Sequence, residues 1–167
     1  MTRLGSQIGK KRSQGGFTIA DALVAAAVAV GALGGLYASV QQVGRVLRTG
    51  REVAQVSEVL QQRIEALRYA PPWTNVTTSS GVASIVASPA AAAANFSGRI
   101  TETYTIADYP SGSQLTVTRS PSGSFTTNGV NLSASRCVKV TVVASWTGLG
   151  NVQRSRQIST IMSKGGI

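Results

Sequence analysis

The chain has no histidine and a single cysteine, Cys137. The first absence removes imidazole as ligand, base or acid, so His/Cys metal sites and His-dependent nucleophilic triads are excluded. The second removes any disulfide within the chain, and Cys137, set in a strand-like run, reads as a small hydrophobe. Acids are scarce too: Asp21, Glu52, Glu58, Glu65, Glu102 and Asp108 are all six of them. Asp21 falls in an apolar run and the next three on a helical pattern. Only Glu102 and Asp108 are left for the distal part, too few for a supported carboxylate pair or a calcium cage. The expectation is a protein without enzymatic activity, metal or cofactor.

Basic charge is abundant, with sixteen Lys and Arg giving a formal net charge of +10. Such a field attracts nucleic acid or anionic lipid. The charges are scattered, however, over Arg45, Arg48 and Arg51, then Arg63 and Arg68, then Arg154 and Arg156. That scatter argues against a specific nucleic-acid interface.

The other abundant feature is an apolar run. From Ala22 to Gly44 no residue is charged, and at 1.5 Å rise per residue that helix spans roughly 34 Å, enough for a bilayer's hydrocarbon core. Lys10, Lys11 and Arg12 precede it, and the positive-inside rule keeps that side in the cytoplasm and sends the residues beyond about 45 outward. The plain readings are a signal anchor or a cleaved secretory signal peptide. The helical pattern continues past Ala38 with no turn-forming break, which disfavours cleavage there, and no cysteine follows for a lipoprotein. Neither plain reading explains Asp21, whose carboxylate within an apolar span costs about 2.5–3.5 kcal/mol. Such a group requires a partner.

Lys10-Lys11-Arg12, then Gly15-Gly16-Phe17-Thr18-Ile19, then Asp21 and an apolar helix resemble the processing site of type IV prepilins. The resemblance implies a leader, 1–16, recognised through Lys10, Lys11, Arg12 and Gly15. It implies cleavage between Gly16 and Phe17 by a prepilin peptidase on the cytoplasmic side, and N-methylation of Phe17. Removal of the leader would leave twelve basic against six acidic residues. The family usually carries glutamate where Asp21 stands, the fifth residue of the mature chain. There the carboxylate neutralises the N-terminal amine of a neighbouring subunit. The partners so implied are the prepilin peptidase, other pilins or pseudopilins with their assembly platform, and the inner membrane, where the chain would sit single-pass with its C-terminal domain extracytoplasmic. Within the span, Gly31 and Gly35 form a small-xxx-small pair that lets helices approach closely; the alternative is an ordinary alanine-rich membrane helix.

Beyond residue 44, Val46, Val53, Val56, Leu60, Ile64 and Leu67 recur at steps suited to one helical stripe, with Arg48, Arg51, Glu52, Gln55, Glu58, Gln62 and Glu65 on the other faces. Pro71-Pro72 ends the helix at about Tyr69. The stretch 71–98 reads as a variable loop, with a short turn over Ala90–Ala94. Alternation then places Ile100, Tyr104 and Ile106 on one strand face, Leu115 and Val117 on a second, and Val138, Val140, Val142, Ala144 and Trp146 on a third. A turn at Gly148-Leu149-Gly150-Asn151 returns the chain as a hairpin partner.

The expected fold is α+β, pilin-like: a long N-terminal helix, transmembrane over 17–44 and amphipathic over 45–70, packed on an antiparallel sheet of about four strands within 99–167. The end of the chain, VKVTVVASW to ISTIM, is similar to PilV-type minor pilins and to the I-type minor pseudopilins of type II secretion. The function expected is a minor pilin-like or pseudopilin subunit. The alternative is an anchored binding module or tip subunit that contacts DNA or a surface, provided Arg99, Arg119, Arg136, Lys139, Arg154 and Arg156 share one face.

Overall fold

The computed structural model describes residues 17–90, 99–110, 112–148 and 150–165. The fold is α+β, with a long N-terminal helix and an open antiparallel sheet of five strands. The helix, α1 (Ile19–Arg68), is 50 residues long. It begins just after Thr18 and stops just before Pro71-Pro72, as the absence of proline between them predicts. The chain divides into two compact units at Gly44. In the first, every described residue is exposed. This part is long and apolar enough to cross a membrane.

In the second unit, the rest of α1 lies on the sheet. Val56, Leu60, Ile64 and Leu67 are buried in the main core, one stripe at three- and four-residue steps. The stripe starts later than the sequence pattern suggests: Val46 is 61% exposed and Val53 only partly buried. It is also less purely apolar, because Glu52 and Arg63 are buried in it.

The sheet has the order β3-β2-β1-β4-β5. Its strands are β1 (Ile100–Asp108), β2 (Gln114–Arg119), β3 (Phe125–Gly129), β4 (Cys137–Thr147) and β5 (Gln153–Ser163). The expected alternation holds in β1, β2 and β4, whose even- or odd-numbered apolar residues face the helix and are buried. The β4–β5 hairpin is in unbroken register from Thr147↔Gln153 to Cys137↔Ser163. Its turn takes Gly150 and Asn151 to positive φ (78° and 61°), a conformation that suits glycine and asparagine.

Two features differ from the sequence pattern. β3 is an additional strand, an edge whose residues after Phe125 are all exposed, so it carries no apolar alternation to read. The stretch taken as loop contains two short helices, α2 (Thr74–Thr77) and α3 (Ser79–Ile85). They are held by tertiary contacts rather than by helical propensity, since helices this short are not stable alone. Val76, Val82 and Val86 are buried in the core, Leu132 N–H donates to the Thr77 carbonyl at 2.9 Å, and Trp73 Nε1 donates to the Ser135 carbonyl at 3.0 Å. Gly81 lets the two helices meet: a Cβ there would lie 2.5 Å from the Asn75 Cα. Of the expected turn over 90–94, residues 91–94 lie outside the described residues. Cys137 is half-buried and free.

Candidate functional site

The sequence motif centres on the start of α1. Thr18 and Asp21 form a reciprocal cap: Asp21 Oδ2 accepts from Thr18 N–H at 3.0 Å and from Thr18 Oγ1–H at 2.7 Å. The Asp21 N–H donates to Thr18 Oγ1 at 3.3 Å. This is the capping-box arrangement, with a carboxylate three residues after a hydroxyl residue satisfying orphan donors of the first turn. The acid also stands at the positive end of the helix dipole. Both bonds to Thr18 go to one oxygen, and Oδ1 has no hydrogen bond among the described residues. Phe17 and Ile19 beside it are 79% and 83% exposed. Gly16, Gly15, Lys10, Lys11 and Arg12 lie outside the described residues. Gly31 and Gly35 are one turn apart on α1, and a Cβ built on either meets nothing within 4 Å.

The basic residues proposed for a binding face do not converge. Arg119 is buried. Lys139 lies on the outer face of β4, whereas Arg154 and Arg156 face the helix side, in register with buried Trp146 and Ala144.

A second polar constellation is absent from the motif reading. Glu102, on the core-facing side of β1, is bracketed by two arginines. Arg63 of α1 approaches it twice, Nε to Oε2 at 2.7 Å and an Nη to Oε1 at 3.2 Å, and Arg119 of β2 places an Nη 3.3 Å from Oε1. The Tyr104 hydroxyl donates to Glu102 Oε2. All four residues are at most 5% exposed. Burial, reinforced by the adjacent Glu102 carboxylate, pushes the Tyr104 phenol far above its ordinary value. The phenol is therefore a fixed donor, and the cluster carries two cations against one anion. Its signal in the sequence is phase: Glu102 alternates with Ile100 and Tyr104, Arg119 with Leu115 and Val117, and Arg63 lies one turn from Leu60 and from Leu67. The three charges thus occupy apolar positions.

A third polar group lies near the β4–β5 turn. Glu52 is buried and pairs with Arg48 at 3.7 Å, not on a solvated face as its helical position suggested. Glu52 Oε2, Arg154 Nε and Trp146 Nε1 are buried and have no hydrogen-bond partner among the described residues. Among the described residues no cluster of acids and cysteine suits a metal ion.

Comparison with known protein families, curated proteins and solved structures finds no match. The functional reading therefore rests on the residues from Lys10 to Asp21 and on the helix-and-sheet fold.

Proposed function

We propose that the chain is a minor pilin-like or pseudopilin subunit: a structural protein trimmed after Gly16, anchored by α1 with its C-terminal domain outside the cytoplasmic membrane, and incorporated into a helical filament. The observation that carries the reading is Asp21, a carboxylate at the first turn of a helix whose next 23 residues are uncharged and uncovered. Thr18 satisfies Oδ2 within the chain and so lowers the cost of holding the acid in lipid before assembly. Oδ1 is left for a second donor, and the amine that cleavage would create on a neighbouring Phe17 is a donor of the right charge. Exposed Leu23, Val28, Leu33 and Leu36 suit lipid first and a bundle of like helices afterwards.

The test is recruitment. Asp21→Ala should still insert in the membrane, because a charge is removed from the span, yet should be depleted from sheared filaments or from complexes pulled down with the major subunit. Undiminished recovery of Asp21→Ala with the major subunit would rule out the pairing.

A further inference from the structure

Among the described residues β5 is an open edge of the sheet, and the direction of its backbone groups follows from the ladder. In an antiparallel pair, facing residues alternate between pairs that exchange both hydrogen bonds and pairs that exchange none. Gly148 N–H donates to Val152 at 2.9 Å, and Lys164 N–H donates to Arg136 at 2.8 Å. Both bonds join even-numbered residues, and the register between them is unbroken. The even-numbered residues of β5 are therefore bonded to β4, while Gln153, Ser155, Gln157, Ser159 and Ile161 turn their N–H and C=O groups toward the open side.

Protected edges are short, bulged, charged or interrupted by proline. β5 has eleven residues, no proline, no bulge, and no charge from Gln157 to Ser163. Its two charges, Arg154 and Arg156, lie at the other end on the helix-side face. Neither has a carboxylate in ion-pair contact among the described residues. Glu52 comes close to Arg154 beside Gly148, but its ion pair is with Arg48. Toward the C-terminal end of β5 lies a groove of about 520 Å³ lined by Leu67, Arg68, Tyr69, Trp73, Ile161 and Met162, a volume that accommodates a large apolar side chain; the Arg68 guanidinium is held to the Thr160 hydroxyl at 3.2 Å.

We propose that β5 is a docking edge for an extended acidic segment of another polypeptide, added antiparallel as a sixth strand. An apolar side chain opposite Met162 enters the groove, and two carboxylates meet Arg156 and Arg154. Side chains on one face recur every second residue, so the acids stand six and eight residues after the apolar anchor, the spacing of Arg156 and Arg154 from Met162. Main-chain bonds supply affinity, while the groove and the arginines set register and direction. A second copy of this chain does not supply the strand, because none of its six acids is two residues from another.

The test uses the full chain in detergent micelles and a labelled nine-residue peptide of alternating threonine and valine, with leucine first and glutamate at the seventh and ninth positions. Fluorescence anisotropy should show it binding about tenfold or more tightly than the same peptide with lysine in place of glutamate. The double variant Arg154→Glu, Arg156→Glu should reverse that preference. Gln157→Pro removes only an outward N–H at a tolerated edge position and should abolish binding of both peptides. Equal binding of the two peptides, no binding of either, or a preference unmoved by the arginine reversal overturns the proposal. So does self-association of the chain that Gln157→Pro abolishes while neither peptide binds, since that would assign the edge to a second copy.

Discussion

At the scale of single residues, two carboxylates define the molecule, and they differ in how they are held. Asp21 is exposed and tied to Thr18 at the first turn of α1; Glu102 is buried between Arg63 and Arg119. Burial decides what each contributes. Replacing Glu102 with Gln keeps the shape but leaves two buried guanidinium groups without an anion, and losing one partner of such a cluster costs about 3–5 kcal/mol. Thermal or urea unfolding should register that loss in Glu102→Gln, whereas a change under about 0.5 kcal/mol would mean that the cluster is solvated. Tyr104 adds a pH dependence. Its folded phenol is raised above the ordinary value of 10.0, so its neutral form contributes stability fully below pH 10. That contribution is lost as pH rises toward the raised folded value. In difference spectra against Tyr104→Phe, the Tyr104 phenolate should appear only as the chain unfolds in alkali; ionisation near pH 10 in the folded chain would contradict the buried donor.

At the scale of elements, what could be read in advance depended on how much of an element faces the core. α1 was legible from Thr18 to Tyr69 because proline is absent within it and its second half carries a stripe. β1, β2 and β4 were legible because they alternate against one buried face. β3 was not, since only Phe125 packs against the core and the rest of the strand meets water. α2 and α3 were not legible either, because Thr, Ser and Gly there are helical only through Val76, Val82 and their neighbours in the core. The same limit explains the charges: pattern reading sends Arg63, Glu102 and Arg119 outward by type, and only their phase with apolar neighbours sends them in. For the first part of α1, Gly31 and Gly35 lower helix propensity by about 1 kcal/mol each relative to alanine, and no described residue occupies the space beside them. If they admit neighbouring helices, Gly31→Leu and Gly35→Leu should leave membrane insertion and the melting of the sheet unit unchanged, and should reduce recovery with filaments. Normal recovery would reduce the two glycines to ordinary members of an alanine-rich span.

At the scale of the whole molecule, the proposed role in assembly rests on the apolar first part of α1 and on the helix-and-sheet fold. The buried Arg63, Glu102 and Arg119 join that helix to the sheet. Of the motif that carries the proposed function, Asp21 and Thr18 have a described geometry, while the charge cluster and the Gly16–Phe17 bond are read from sequence. The proposed function turns on processing at that bond. Its most direct measurement is the mass of the chain recovered from membranes after co-expression with a prepilin peptidase, compared with a peptidase-deficient control. Loss of residues 1–16 and a methylated Phe17 at the new N-terminus, with α1 retained, is the expected result. An intact leader, or a cut beyond the apolar run, would contradict it.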